Sequence, residues 1–380
     1  MKITLSKQCF SIALARTSGI ADKKSSMQIL SNVLIKTQDD KTVKFATTDL
    51  NLSASGLFPA EVAEEGEITL PAKTLYDIIK IMPEGTISLS VEGESVQIKG
   101  GRSVFNILGL PAEDFPNMPD TDEVEFFEVT TDLLAKMIDK TSFSISSDET
   151  RPHINGAFFQ GDGKILRMVT TDGHRLSKME CKVEQSGFYN FEMVIPVKGV
   201  HEIRKLLDDG QETVSLGTKD GSVFLKRSIE VEKPVDDEPA PTADFVLVSK
   251  LIESEFPPYD QVIPKALDKN LIVPRSEIMD ALKRVSVVSS DRTQGVKLSL
   301  SEGVMEIASD NPSVGDGKET VDINYEWDPM EIGFNAKYFI EVLSVLNDEE
   351  VNFELSGELD PTVVKDMAGE FIGVVMPMRI

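Results

Sequence analysis

Leu70-Pro71-Ala72-Lys73, followed by Leu75, Ile78 and Ile79, occurs three times in this chain in altered form. It returns as Ile195-Pro196-Val197-Lys198 with Val200, Ile203 and Leu206, and as Phe334-Asn335-Ala336-Lys337 with Phe339, Ile340 and Leu343. Each copy places apolar residues at helical spacing behind a lysine. The lysines are 125 and 139 residues apart. A second landmark keeps step: Leu14 to Ser18 (LARTS), Ile138 to Ser142 (IDKTS) and Leu282 to Ser286 (LKRVS) each end an amphipathic run. Their last serines are 124 and 144 apart. A period this long exceeds any solenoid repeat and matches whole domains. The chain therefore reads as three similar domains, at residues 1–122, 123–262 and 263–380.

Each repeat opens with an amphipathic helix. Cys9, Phe10, Ile12, Ala13 and Leu14 cluster in the first; Leu133, Leu134, Met137 and Ile138 in the second; Ile278, Met279, Leu282 and Val285 in the third. Strand-like runs follow, such as Asn32 to Lys36, Val43 to Ala46 and Ala157 to Gln160. The lysine-led helix comes next, then further strands such as Ile87 to Val91, Val214 to Leu216 and Val351 to Leu355. The fold class is α+β, with each repeat made of two half-units of one helix and antiparallel strands. Glu113-Asp114-Phe115-Pro116 and Glu255-Phe256-Pro257 mark the ends of the first two repeats. The acidic, proline-rich segment from Glu230 to Ala243 accounts for the greater length of the second, as an exposed loop.

No apolar run is long enough for a membrane span, and the N-terminus MKITLSKQCF lacks a signal-peptide core. Cys9 and Cys181 lie in different repeats and read as reduced thiols of a cytoplasmic protein. The net charge is −25, which by itself argues against nucleic acid. The charge is not evenly spread. Six predicted helix windows, 6–18, 72–82, 131–142, 197–207, 275–286 and 336–346, hold 13 Lys or Arg against 7 Asp or Glu. If those helices share one face, that face is positive within a negative body, which suits a phosphate backbone without base reading. The expected contacts include Lys73, Lys80, Lys136, Lys140, Lys198, Arg204 and Lys205. With one Trp and five Tyr, the chain lacks the stacking residues of a single-strand binder.

Thr170-Thr171-Asp172-Gly173-His174-Arg175-Leu176 carries an Asp and a His two residues apart, which could suggest acid–base chemistry. The sister repeat reads Thr47-Thr48-Asp49-Leu50-Asn51-Leu52 and has no histidine. A Thr-Asp turn after a strand explains both copies. The three histidines are not spaced with the cysteines as metal ligands, and neither a phosphate-binding loop nor a dinucleotide glycine motif is present. No catalytic site, cofactor or metal is expected. Two other readings stay open on the residues alone: an acidic three-domain scaffold that binds peptides, and a hydrolase using Asp172 and His174.

TTDGHRLS (170–177), LSKQCFSIAL (5–14), GFNAKY (333–338), EDFP (113–116) and the C-terminal VVMPMRI (374–380) resemble the bacterial DNA sliding clamps, the beta subunits of DNA polymerase III. The resemblance spans the whole chain. It implies a head-to-tail homodimer, a ring of six domains with helices lining the hole and strands outside. Such a ring is a processivity factor: it encircles duplex DNA and keeps a tethered polymerase at high effective concentration. The partners so implied are DNA, a second copy, a clamp loader, and replicative and repair polymerases that dock short peptides.

The resemblance also implies residues. A hydrophobic peptide pocket would be walled by Ile154, Thr171, Gly173, His174, Arg175, Leu176, Pro257, Val262, Asn335 and Tyr338. The tail Val374, Val375, Met376, Pro377, Met378, Arg379 and Ile380 would complete it. Lys24 and Arg151 would add DNA contacts from loops. Phe105 and Ile107 would meet Val287 and Val288 of a second copy. Thr293 and Gln261 depart from the family pattern near the pocket, where an aromatic and an arginine can stand. Arg151-Pro152-His153 likewise stands where the family can place aromatic DNA contacts.

Overall fold

The computed structural model describes residues 1–22, 25–183, 190–208, 212–231, 241–290 and 293–379. The first repeat runs β1 (Lys2–Ser6), α1 (Lys7–Thr17), β2 (Asn32–Thr37), β3 (Thr42–Thr48), β4 (Leu52–Pro59), β5 (Glu61–Glu64), β6 (Glu67–Pro71), α2 (Ala72–Ile81), β7 (Thr86–Glu92), β8 (Ser95–Gly100) and β9 (Ser103–Leu108). The second runs β10 (Phe126–Thr130), α3 (Thr131–Thr141), β11 (Gly156–Asp162), β12 (Ile165–Thr171), β13 (Arg175–Lys182), β14 (Asn190–Pro196), α4 (Val197–Leu206), β15 (Thr213–Lys219), β16 (Ser222–Glu230) and β17 (Thr242–Lys250). The third runs β18 (Lys269–Pro274), α5 (Arg275–Ser286), β19 (Gly295–Ser301), β20 (Val304–Asn311), β21 (Gly315–Asp322), β22 (Met330–Asn335), α6 (Ala336–Ser344), β23 (Glu350–Leu355), β24 (Thr362–Lys365) and β25 (Phe371–Val375).

The order strand, helix, strands, helix, strands thus recurs three times, with β5 the one addition. The helices fall where their apolar periodicity put them. In α2, Ala72, Leu75, Ile78 and Ile79 are buried while Lys73, Asp77 and Lys80 are exposed. Burying each large aliphatic of that stripe contributes about 1.5–3 kcal/mol. Ser6 caps α1 by accepting the Cys9 N–H at 3.1 Å, worth about 1 kcal/mol. The short strand before the first helix of each repeat (β1, β10, β18) was not anticipated. In β1, Ile3 and Leu5 are buried in strand alternation, yet only five residues separate the chain start from the helical pattern.

The chain divides into two compact units, Met1–Asp132 with His201–Leu251, and Leu133–Val200 with Ile252–Ile380. The first holds a five-stranded sheet, β5-β1-β7-β8-β9, and an eight-stranded sheet, β10-β15-β16-β17-β4-β3-β2-β6. The second holds an eight-stranded sheet, β14-β11-β12-β13-β25-β24-β23-β18, and a four-stranded one, β21-β20-β19-β22. Each eight-stranded sheet joins half-units from two repeats. The joints are the antiparallel pairs β17–β4, with Val248 opposite Ser53, and β25–β13, with Val374 opposite Leu176.

The first unit packs α1 on α2 and sets Phe10, Phe45 and Phe58 in tilted and edge-to-face contact at ring separations of 5.4 and 5.5 Å. In the second, α5 packs on α6 over a core that includes Phe334, Phe339, Phe353 and Phe371. The prolines that close the repeats follow buried or stacked aromatics. Phe115 packs with Ile29, Leu30 and Ala46, and Phe256 stacks on Phe158 at 5.2 Å. The ends of the acidic segment are not exposed loop: Glu230 closes β16, Thr242 and Ala243 open β17, and Val231 and Ala243 are buried; its residues 232–240 lie outside the described residues.

Candidate functional site

The turn between β12 and β13 is built by hydrogen bonds from its own sequence. The Thr171 hydroxyl donates to the Arg175 carbonyl at 2.6 Å and accepts the Gly173 N–H at 3.1 Å. Asp172 Oδ1 accepts the N–H groups of His174 at 2.9 Å and Arg175 at 3.1 Å. Gly173 takes a φ of +91°, the left-handed region that a glycine enters at little cost. The Asp172 carboxylate is therefore occupied by backbone and by Arg175 Nε at 3.0 Å, an arrangement that orders a turn rather than a base for His174.

The sister turn is a close copy. Thr48 accepts the Leu50 N–H at 3.0 Å, and Asp49 accepts those of Asn51 and Leu52 at 3.0 and 2.7 Å. Leu50, with φ +76°, stands at the Gly173 position. Leu52 stands where Arg175 would be. The Thr-Asp turn is thus a property of the repeat, while Gly173, His174 and Arg175 belong to one copy.

Around that copy the second unit assembles an apolar floor. Leu176 and Val374 are buried with Val169 and Val363, and Phe158, Phe256, Tyr259, Ile263, Leu267 and Ile372 pack against them. The tail enters by strand pairing, Arg175 opposite Val375 and Leu176 opposite Val374. It is pinned further by Met376 N–H to the His174 carbonyl at 3.0 Å and Met378 N–H to the Gly333 carbonyl at 2.8 Å. His174 is exposed, its ring nearly parallel to that of Tyr338 at 6.5 Å. Burial, then the neighbouring Asp172 charge, pushes the Tyr338 phenol above its ordinary pKa. Asn335 caps α6 by accepting the Lys337 N–H at 2.9 Å and donates to the Thr293 carbonyl at 3.1 Å.

Ile154 is buried, and Arg151 approaches Gly173 closely enough that a side chain there would meet its guanidinium at 3.2 Å. Val262 and Met376 remain partly exposed, at 42% and 37%. Pro257 and Val262 lie in the segment whose Phe256, Tyr259 and Ile263 form the floor, and Gln261 is exposed beside them. Ile380 lies outside the described residues. Of that floor the sequence reading named Leu176 and Val374 and missed Val169, Val363 and the aromatics packed on them. It also missed Phe143 and Glu341, both of which bind Arg175.

The cationic residues are less bare than their number suggested. Lys73 pairs with Asp77 at 2.5 Å, Lys136 with Glu370 at 2.6 Å, Lys205 with Glu202 at 2.6 Å, Arg151 with Asp148 at 2.8 Å, and Arg204 with Asp208. The Glu370 hydrogen bond holds the Lys136 ammonium above its ordinary pKa. Pairs this exposed contribute at most about 1 kcal/mol and can be exchanged for a phosphate. Lys80 and Lys198 are exposed. Lys140 is a correction to the sequence reading. It is only 8% exposed, pairs with the buried Asp366 at 3.1 Å, and lies 5.9 Å from the Phe371 ring centre. It is an interior cation, withdrawn from any phosphate, because α3 turns it toward the β24–β25 connection. Lys24 lies outside the described residues.

Phe105 and Ile107 are half-buried on β9, the last strand of its sheet, with Val104 and Leu108 exposed on the other face. Val287 caps α5 and is 79% exposed. Val288 lies against β21, 3.1 Å from where a side chain on Gly317 would begin. Among the described residues no group of three His, Cys, Asp or Glu could hold a metal. Burial pushes the Cys181 thiol up to about 11, which leaves it unreactive at neutral pH.

Models of the DNA polymerase III beta subunit match the chain in three consecutive pieces. The N-terminal domain covers 1–119, the central domain 128–258 and the C-terminal domain 260–379. The chain belongs to the DNA polymerase III beta subunit family. The beta sliding clamps of Pseudomonas aeruginosa and Escherichia coli K12 are 31% and 32% identical to it, each matched over the full length of both chains. A crystal structure of the Pseudomonas aeruginosa clamp bound to griselimycin superposes with a TM-score of 0.90 at 30% identity, and one of the Caulobacter crescentus clamp does so at 32%, both over all of each chain. Membership makes this chain a sliding clamp, an accessory subunit of a replicative polymerase with no catalytic activity of its own. Among the described residues no helix is long and apolar enough to cross a membrane.

Proposed function

We propose that two copies of this chain close head to tail around duplex DNA. The observation that carries this is a pair of incomplete sheets. By repeat order β9 corresponds to β17 and β25, and β21 to β4 and β13. Within the chain β17 pairs with β4 and β25 with β13, whereas β9 and β21 each end a sheet. Pairing β9 of one copy with β21 of another repeats the same joint a third time. An interface between different surfaces must close or run on as a filament, and two such joints close a ring. Phe105, Ile107, Val287 and Val288 flank the two edges and form the contact.

The repeats act as domains 1–122, 123–262 and 263–380. The exposed cations Lys73, Lys80, Lys136, Lys198 and Lys205, with the half-buried Arg204 and with Lys24 and Arg151, give a weak, sequence-independent attraction to phosphates. The apolar floor that includes Leu176 and Val374, rimmed by Thr171, Gly173, His174, Pro257, Val262, Asn335, Tyr338 and the tail, receives short apolar peptides of replicative and repair polymerases. A clamp loader opens the ring in the cytoplasm. The test is topological. The protein should sediment as a dimer of twice 41.9 kDa. Once loaded, it should stay on a closed circle and leave when the circle is cut. Tight sequence-selective binding to short linear duplexes would overturn the reading.

A further inference from the structure

Arg175 is 8% exposed and every face of its guanidinium is occupied. Nε donates to Asp172 at 3.0 Å, one terminal nitrogen to the Phe143 carbonyl at 2.7 Å, and the other to Glu341. Its carbon lies 4.6 Å from the Tyr338 ring centre and 5.2 Å from that of Phe143. Glu341 is on α6, one turn beyond Tyr338. Its second oxygen lies 3.8 Å from the ammonium of Lys337. One carboxylate is therefore shared between a buried arginine under the pocket rim and an exposed lysine on a helix face.

The repeats separate what this cross-link does from what the fold needs. An acid four residues after the signature lysine is common to all three: Asp77, Glu202 and Glu341. Glu202 bonds within its own helix, to Lys205 at 2.6 Å, and the sister turn forms with Leu52 in place of the arginine. The turn therefore does not require Arg175, and the helix does not require its acid to reach out. Only at the pocket does the acid join the turn. We propose that Glu341 is a positioning residue of the peptide pocket. Through Arg175 it fixes the His174 and Tyr338 walls against each other, and Lys337 moderates it by competing for the same carboxylate. A desolvated arginine held by two carboxylates keeps one geometry, and rigid walls lower the ordering cost of binding.

This rests on the peptide reading of the pocket, and the experiment separates the two. Calorimetry would use the full-length protein and the C-terminal peptide of its replicative polymerase. Glu341→Gln should weaken binding about three- to tenfold, a range that allows for the partial exposure of the pair. Lys337→Gln should tighten binding up to about twofold. Arg175→Leu should weaken binding, and adding Glu341→Gln to it should cost nothing more, the non-additivity of a single coupled unit. Fluorine-labelled tyrosine should report a displaced Tyr338 ring in Glu341→Gln at unchanged thermal midpoint, which a merely stabilising role would not give. No binding by the wild type would overturn the peptide reading itself. Wild-type binding that Glu341→Gln leaves intact, or additive losses in the double variant, would overturn the positioning role alone.

Discussion

The Met376 N–H donates to the His174 carbonyl at 3.0 Å, and Lys250 makes the same bond to Asn51 at 2.8 Å in the sister half-unit. The C-terminal tail thus leaves its strand as the repeat dictates, then ends against the pocket. Deleting Met376 to Ile380 removes that bond and the one from Met378 to Gly333, but leaves Val374 of the buried floor and Val375 of the third repeat's core. Peptide binding should fall below detection in calorimetry while light scattering still reports a dimer, because the proposed subunit contact uses other surfaces. Undiminished binding by the truncated protein would remove the pocket from this region and reopen the scaffold reading.

His174 is exposed and touches the pocket through its ring, while its backbone holds both the turn and the tail. His174→Ala keeps the backbone bonds and removes one wall facing Tyr338. Affinity for the peptide should drop a few-fold, about 0.5–1.5 kcal/mol for a lost ring contact. Thermal stability should barely move. A loss of a hundredfold or more would assign the histidine a larger part than wall-lining.

Lys140 should separate fold from function among the cations. Removing it strands the buried Asp366 carboxylate, whose other hydrogen bond comes from the Phe371 N–H at 3.0 Å. Lys140→Ala should cost about 3–5 kcal/mol of stability, the usual penalty for breaking a buried pair. The salt dependence of DNA retention, measured below the unfolding transition, should stay as in the wild type. A shallower salt slope without loss of stability would return Lys140 to the DNA face.

That residue also marks the limit of the sequence reading. Helices were legible because each carries its own apolar stripe, and the windows around α2, α4 and α5 came within a residue or so of the observed ends. The partners of the helix cations were not legible where they lie far along the chain. Asp366 is 226 residues from Lys140 and Glu370 is 234 from Lys136. Counting charges by window therefore overstated how bare the basic faces are. The Thr-Asp turn could be read from its two copies. The floor beneath it could not, since Val169, Phe256, Val363 and Val374 come from four segments that only the sheet brings together. The resemblance, rather than spacing, named the pocket walls.

Charge reversal at Lys24, Lys198 and Arg204 should weaken loading uniformly across DNA sequences. Each lost phosphate contact should lower the slope of log retention against log salt by about one. Filter-binding or single-molecule retention across a salt series reads this directly. A change in sequence preference would contradict contact with phosphates alone.

The subunit joint is open to the most direct test. Val287, at 79% exposure, and Val288, packed over Gly317 of β21, sit beside a strand that ends its sheet. Val287→Ala removes apolar area, and Val288→Lys places an ammonium where the joint would exclude water with no carboxylate assigned to meet it. Burying that charge unpaired costs several kcal/mol, enough to shift a dimer by orders of magnitude in dissociation constant. Sedimentation of the double variant should give the single-chain mass of 41.9 kDa at sub-micromolar concentration, against twice that for the wild type. Folding should be unaffected, since neither side chain belongs to the buried core of the third repeat. A double variant that remains fully dimeric at that concentration would move the joint away from the β9 and β21 edges.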